Sequence, residues 1–304
     1  MRREINNMRI GYFGDGPWAH RAFQKLIQDK SIEIAFVMVR FDKKDAVLMK
    51  MAEESQIPLE LSENINGVYF IEKVKQYNVD LFVSMSFNQI FKKELINIPQ
   101  YKTINCHAGK LPFYRGRNIL NWALINDEKE FGITVHYMDE GIDTGDIILQ
   151  KTYPIKDADD YSTLLNRAYI GCAEILYDAV KLIQNQKVCP IHQKDIDPVG
   201  MYCGMRKPGD EIIDWTLSSR ELFNFVRALC IPGPQATSWI HGRKICINKV
   251  KMVSGAHQYI NIPGQVIGRT EEGFYVKTGD TMLEVVEYTY DGKIRIGDRL
   301  EANE

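Results

Sequence analysis

Residues 8–39 read MRIGYFGDGPWAHRAFQKLIQDKSIEIAFVMV. Arg9 to Phe13 form a strand-like run, and Gly14-Asp15-Gly16-Pro17 turn the chain. From Ala19 to Gln28, the apolar residues Ala19, Phe23, Leu26 and Ile27 recur at helical spacing. The run IEIAFVMV (32–39) is then a continuous apolar strand, the pattern of a strand covered on both faces in a parallel sheet. A strand, a helix and a second strand in so short a stretch form the repeating unit of an open α/β fold.

Working outward, the alternation continues. Lys44–Glu54 is helical, a helix ends over Ile71–Tyr77, and Val79–Val83 is the next strand. Phe91–Ile96 makes a short helix, Thr103–Asn105 leads into a polar loop, and Asn118–Asn126 is helical. Gly132–Met138 alternates as a strand, and Tyr161–Gln184 is a long amphipathic helix. The expected fold is α/β, with a Rossmann-like open, mostly parallel sheet over 8–185. Its site should lie beyond the carboxyl ends of the strands. Residues 186–210 read as a linker. From 211 to 300 come one helix (Ser219–Leu229) and short strands with Gly-containing turns, expected as a small β-rich, barrel-like domain.

Composition narrows the function. The 38 Lys and Arg against 40 Asp and Glu leave a formal charge of -2, which argues against a broad nucleic-acid surface. The six cysteines form no C-x-x-C pair, so neither a disulfide scaffold nor a zinc site is expected. No run of about 18 apolar residues exists, so no membrane span is expected. The polar MRREINN reads as a short tail before the first strand, with Met8 a second plausible start. A cytoplasmic setting is the expectation.

Gly14-x-Gly16-x-x-Ala19 is a weak dinucleotide fingerprint, with Pro17 and Trp18 inside the turn, and it reads better as a strand-to-helix turn that borders a substrate pocket. The richer segment is INCHAGKLPFYRGRN (104–118). In extended chain, Asn105 and His107 face the same side, while Cys106 faces the other as a small buried residue. In HYMDEGIDTGDII (136–148), Gly141 and Gly145 flank Asp143 in a constrained turn. An Asn, a His and an Asp make a coherent acyl-transfer set: an amide donor for an oxyanion, a proton exchanger near neutrality, and a carboxylate to support it. The competing readings are a loop histidine, a turn or cap asparagine, a turn-forming aspartate, or a metal site of His107, His136 and Asp143.

These segments resemble the formyltransferases that use N10-formyltetrahydrofolate. They are most similar to the nucleotide-sugar N-formyltransferases, relatives of methionyl-tRNA formyltransferase. The match runs through Asn105-Cys106-His107-Ala108-Gly109-Lys110-Leu111-Pro112, Arg115-Gly116, Asn121-Trp122-Ala123, Gly132-Ile133-Thr134-Val135-His136 and Asp139 to Asp146. It continues in MRKPGDEIIDW (205–215) and VRALCIPGP (226–234). The resemblance implies Asn105, His107 and Asp143 as the catalytic triad and no metal. It implies a folate co-substrate along SMSFNQIF (84–91), near Phe87 and Ile90, with Met138 and Asp139 as a second edge.

The acceptor it implies is a nucleotide-linked, dTDP-type amino sugar of the kind used in O-antigen biosynthesis. The tRNA-acting relatives carry a longer basic insertion after the second strand, and RFDKKDAVLMKMAEESQIPLE (40–60) lacks it. Candidate acceptor contacts are Trp18, Lys110, Tyr114, Arg115, Arg117, Asn118 and Trp122. Each also has a plain reading: surface charge for the arginines, core or rim packing for the aromatics, helix initiation for Asn118. His136 reads better as a packed histidine than as a catalytic one. The C-terminal domain can pack on the catalytic one, form a homodimer surface, or touch substrate. The alternatives of other classes are a nicotinamide-dependent oxidoreductase and a noncatalytic folate or nucleotide-sugar binding module.

Overall fold

A computed structural model describes residues 7–302. The expected N-terminal tail falls on 1–6, outside the described residues, apart from Asn7. In chain order the elements begin β1 (Met8–Gly14), α1 (Gly16–Ile27), β2 (Ile32–Met38), α2 (Ala46–Glu54), β3 (Leu59–Glu60) and α3 (Val68–Lys75). There follow β4 (Leu81–Met85), α4 (Lys93–Ile96), β5 (Thr103–His107), β6 (Arg115–Gly116), α5 (Ile119–Ile125), β7 (Glu130–Tyr137) and β8 (Ile147–Pro154). Next are α6 (Tyr161–Gln184), α7 (Gln193–Ile196), β9 (Tyr202–Cys203) and α8 (Ser219–Leu229). The chain ends with β10 (Ala236–Ile240), β11 (Arg243–Met252), β12 (Val266–Arg269), β13 (Phe274–Lys277) and β14 (Met282–Tyr290).

The chain forms two compact units. The first runs to Gly116 and includes 132–153 and 166–202; the second takes 117–131, 154–165 and everything from Cys203. The stretch read as a linker carries α7, and its part up to Tyr202 lies in the first unit.

The first unit is built on a seven-stranded sheet of order β3-β2-β1-β4-β5-β7-β8. Strands β1 to β5 pair in parallel, and β7 runs antiparallel to β5. Strand β1 lies between β2 and β4, so the chain order reverses there, which opens a crevice at the carboxyl ends of these strands. On α1 the buried residues are Ala19, Ala22, Phe23 and Leu26, a stripe at helical spacing, and Pro17 sits in its first turn where a missing N–H costs nothing. Ile27, expected on that stripe, is instead 39% exposed at the helix end. One core cluster gathers Phe13, Phe36, Phe70, Phe82 and Phe91. Phe13 meets the other four edge-on, at 4.9 to 6.3 Å between ring centroids.

The second unit holds a five-stranded antiparallel sheet of order β10-β11-β14-β13-β12. It is not a closed barrel: β10 and β12 remain its edges. Short bridges from the tail touch both, through Trp239 to Glu301 and Gln265 to Arg299. Helix α8 starts with a capping box. The Ser218 hydroxyl accepts from the Glu221 N–H while the Glu221 carboxylate accepts from the Ser218 N–H, a device worth about 1 kcal/mol. Its apolar face, with Leu222, Val226 and Leu229, joins Trp215, Ile247 and Phe274 in the core of this unit.

Candidate active site

Strand β5 carries Asn105 and His107 two residues apart on one face. The antiparallel register sets Asn105 opposite His136 and His107 opposite Thr134. The turn between β7 and β8 brings in Asp143, which sits at φ 55°, a left-handed conformation that aspartate tolerates. The three predicted residues therefore meet in one cluster, with His136 as a fourth member.

The Asp143 carboxylate lies between two imidazoles. His107 Nδ1 is 3.6 Å from Oδ2, and His136 Nε2 is 3.6 Å from Oδ1. Its one short contact of this set is the Gly116 N–H, which donates to Oδ2 at 2.9 Å. His107 Nε2 is 2.6 Å from the Tyr114 carbonyl, which can only accept, so Nε2 carries a proton. The titrating proton of His107 is then the one on Nδ1, the nitrogen that faces Asp143. By the same argument, His136 Nδ1 donates to the Tyr137 carbonyl at 2.8 Å. His136 Nε2 then faces the Asn105 amide Nδ2 at 3.3 Å and accepts from that N–H. That bond fixes which end of the Asn105 amide is the donor.

The charges follow from these surroundings. Burial pushes the His107 pKa below its ordinary 6.5; Asp143 and the Tyr114 carbonyl oppose this without reversing it. Burial pushes the Asp143 carboxyl up, but the two histidines and the Gly116 N–H outweigh it and hold the group well below the usual carboxylate range. At neutral pH the resting pair is a neutral imidazole beside an ionised carboxylate.

The loop after His107 is tightly held. Thr134 Oγ1 donates to Gly109 O at 2.7 Å, and Gln150 Nε2 donates to Leu111 O at 2.9 Å. Leu111–Pro112 is a cis peptide. Tyr114 is buried at φ 58°, a strained setting for an aromatic residue, and it aims its carbonyl at His107. A side chain at Gly109 would collide with His107 Nε2 and that same carbonyl, so the position needs glycine. Gln193 of α7 donates to the Asp143 and Gly145 carbonyls at 2.8 Å each, and its Oε1 accepts from Arg115 Nε and Nη2 at 3.0 and 2.7 Å. Thr134 lies in the matched run Gly132–His136 but carries no role there, and no local pattern marks Gln150 or Gln193, which reach the site over long separations.

The remaining candidates are spread more widely. Arg115 is buried and bonded to Gln193 and Val199, with its guanidinium 5.2 Å from the Tyr202 ring centroid, so it braces the Asp143 turn. Trp18 packs edge-on against Tyr169 at 4.5 Å. Lys110 lies on the loop, its stem against Gly132. Arg117, Asn118 and Trp122 belong to the second unit; there Trp122 Nε1 donates to Gly204 O at 3.0 Å, and Asn118 Oδ1 accepts from the Arg206 N–H at 2.9 Å.

Along 84–91, Phe87 is half-buried against Phe13 at 5.6 Å, while Ile90 is 70% exposed. Met138 packs on the same core cluster. The Asp139 carboxylate accepts from the Gly141 N–H and the Thr144 hydroxyl, which shapes the turn that carries Asp143. A cleft of about 370 Å³ beside Ile90 is lined also by Asn66, Phe91 and Glu140, and none of the triad lines it.

Cys106 is buried on the other face of β5, its Sγ 3.7 Å from Cys172 O. At the glycine-rich turn, the Gly16 N–H donates to Asp45 Oδ2 at 2.7 Å, and His20 Nε2 is 2.6 Å from the same oxygen. A side chain of the protein thus occupies the position a dinucleotide phosphate takes at such a helix start. Among the described residues, no group of three or more His, Cys, Asp or Glu is set to hold a metal ion, and no helix is long and apolar enough to cross a membrane.

Two family models match the chain: "Formyl transferase" over residues 8–180 and "Formyl transferase, C-terminal domain" over 206–299. The methionyl-tRNA formyltransferase of Geotalea daltonii is 31% identical over 297 residues, covering 95% of this chain and 93% of that protein. Among solved structures, the N-formyltransferase of Helicobacter canadensis, in complex with folinic acid and dTDP-3-aminofucose, superposes with a TM-score of 0.68 at 20% identity, covering 91% of this chain and 99% of that one. A sugar N-formyltransferase of a Shewanella species superposes with a TM-score of 0.66 at 22% identity, over 81% and 99%. At those identities the structural likeness concerns the fold.

Proposed function

The chain belongs to the formyl transferase family, and from that premise we propose that it moves the formyl group of N10-formyltetrahydrofolate to the primary amine of a nucleotide-linked amino sugar. The observation that carries the reading is the meeting of Asn105, His107 and Asp143, with the titrating nitrogen of His107 turned to the carboxylate.

The folate supplies the formyl carbon, and its N10 departs with a proton. The amine lone pair forms the new C–N bond, and the C–N10 bond breaks. Asn105, its amide held by His136, donates its second N–H to the oxygen that becomes negative, a contribution of about 10²–10³ in rate for one such donor. Neutral His107 accepts a proton at Nδ1, and ionised Asp143 stabilises the imidazolium so formed. The proton lost by the amine equals the one N10 needs, so the pair relays it with no net change. Half-buried Phe87, exposed Ile90 and Met138 offer an apolar edge suited to a flat pterin. Asp139 acts there through the turn it shapes. Trp18, Lys110 and Tyr114 of the first unit are proposed acceptor contacts, and Arg115 holds the Asp143 turn through Gln193.

The small acceptor is favoured by the connection between β2 and α2. It spans only 39–45, and Arg40 within it pairs with Asp15 and Asp42. A tRNA surface needs several phosphate contacts. The second reading, formylation of methionyl-tRNA, is favoured by the length and identity of the curated relatives. One experiment separates them: incubation with N10-formyltetrahydrofolate and a panel of nucleotide-linked 3-amino and 4-amino sugars beside charged tRNA, read by mass spectrometry. Gain of one formyl group on a sugar supports the first reading. Formylation of the tRNA alone overturns it, and the absence of any formylated amine overturns both.

A further inference from the structure

Three consecutive residues, Tyr114-Arg115-Gly116, touch both halves of the His107–Asp143 pair. The Tyr114 carbonyl accepts from His107 Nε2 at 2.6 Å, and the Gly116 N–H donates to Asp143 Oδ2 at 2.9 Å. Between them, the buried Arg115 guanidinium gives Nε and Nη2 to Gln193 Oε1 at 3.0 and 2.7 Å. Gln193 Nε2 donates in turn to the main-chain carbonyls of Asp143 and Gly145, at 2.8 Å each. Gln193 is only 2% exposed. An amide side chain has two donor hydrogens and two acceptor lone pairs, and here all four are used. Arginine only donates and a carbonyl only accepts, so the amide can face in one direction alone.

The segment around Gln193 is fastened on both sides. Ile191 exchanges two main-chain hydrogen bonds with Ile147, at 2.9 Å each, and His192 Nδ1 is 2.6 Å from Asp146 Oδ1. Toward the His107 loop, Val199 O accepts from Arg115 Nη1 at 3.2 Å, and Met201 O accepts from the Arg115 N–H at 2.9 Å. The Met201 N–H donates to Pro112 O at 3.1 Å. Residues 191–201 thus run from the Asp143 turn to the His107 loop, and Gln193 ties the two together.

We propose that Gln193 is a positioning residue for formyl transfer: its amide locks the Asp143 turn to Arg115 and so holds the carboxylate 3.6 Å from His107 Nδ1. The carboxylate supports a proton on Nδ1 through charge, and that support weakens with distance. An apolar side chain at 193 would deprive two carbonyls and the Arg115 fork of their partner, and the turn would loosen. Asp143 and His136 are the titratable groups that face His107; the first raises its pKa and the second lowers it. A loosened Asp143 turn therefore lets the His107 pKa fall further. The proposal deepens the transfer reading above and rests on it for the effect on rate; the effect on His107 titration needs no substrate.

The test joins kinetics to NMR titration of the His107 ring in the full chain, for the wild type, Gln193→Met, Arg115→Lys and, as a control, exposed Lys194→Ala. In Gln193→Met, kcat falls about tenfold or more, as expected for a small misplacement of reacting groups, and KM for N10-formyltetrahydrofolate changes less. The His107 midpoint moves further below 6.5. Arg115→Lys keeps the charge but loses the fork, and it changes both quantities in the same direction by less. Lys194→Ala changes neither. Gln193→Met combined with Asp143→Asn moves the midpoint no further than Asp143→Asn does, because the carboxylate it positions is gone. Thermal melts check folding; should Gln193→Met fail to fold, Arg115→Lys, alone and with Asp143→Asn, carries the comparison. A fall in kcat with the midpoint unmoved marks a merely structural role and overturns the proposal, as does a midpoint shift that persists undiminished beside Asp143→Asn. A midpoint shift that depends on Asp143, without formyl transfer to any amine, leaves Gln193 as the residue that sets the gap and removes the transfer reading. Formyl transfer by the wild type, with kcat and midpoint indifferent to Gln193, does the reverse.

Discussion

Two turns of the first unit each hold a partly buried aspartate near a histidine, and they behave differently. At the α1 start, Asp45 accepts short bonds from the Gly16 N–H and His20, and from the Val47 and Leu48 N–H groups at 3.0 Å each. At the end of β5, Asp143 has the Gly116 N–H at 2.9 Å, while both imidazoles stand 3.6 Å away. Burial pushes both carboxyls up and is outweighed in both, by the Leu48 and Gly16 N–H groups with His20 at Asp45, and by the two neighbouring histidines with the Gly116 N–H at Asp143. Asp45 is saturated with donors and closes a turn. Asp143 faces histidines too far for hydrogen bonds, so a proton arriving on His107 Nδ1 strengthens an interaction that the resting state leaves weak.

The largest expected break of this contrast comes from Asn105→Ala or His107→Ala. Turnover should fall about 10²–10⁴-fold with little change in the melting curve. Near-normal kcat in either variant removes that residue from the mechanism.

Asp143→Asn comes next, with a loss of roughly 10²-fold in transfer and folate binding kept. Its pH profile sharpens the comparison. In the proposed mechanism His107 acts in its neutral form, and its lowered pKa should place the acid limb of kcat/KM below 6.5. Asp143 opposes that lowering, so its loss should move the limb to still lower pH. A limb that stays in place, or rises, shows that the two groups are not coupled.

Gly109→Ala drives a methyl into His107 and the Tyr114 carbonyl. A cost of about 1–3 kcal/mol in stability is expected, with a fall in kcat larger than any change in KM. Unaltered kcat and melting temperature would mean that the loop yields easily.

The smallest effect belongs to Asp45→Ala. Loss of the α2 cap should cost about 1 kcal/mol, with transfer changed little. Titration with NAD should show no binding in either form. NAD binding to the wild type at the Gly14–Gly16 turn would erase the distinction between the two turns.

Much of the first unit was legible from residue pattern. The strand runs of β1 and β2, the α1 stripe, and the whole span of α6 follow from local periodicity, as does α8 in the second unit. Strands β8 and β10 were not singled out. In ILQKTYP (148–154) and ATSWI (236–240) polar and apolar residues mix without a clean period, and burial there depends on partners distant in sequence. Asn105 and His107 were legible because two residues in extended chain share a side, and Asp143 because glycines bracket it. His136 was read as a packed histidine, and it does bond a carbonyl through Nδ1; its other nitrogen touches Asn105, which only the β5–β7 register reveals. Arg115, a candidate fork for an acceptor, is held inside by Gln193 from 78 residues away.

The sequence by itself determined the α/β class, the family, and the chemical kinds of group at the site, because periodicity and short motifs are local properties of the chain. Tertiary structure decided which nitrogen of each histidine bears a proton, which donors surround each aspartate, and which arginine is buried. Those outcomes depend on distances of a few ångströms between segments tens of residues apart, and strand register and loop closure set such distances while leaving no trace in local spacing.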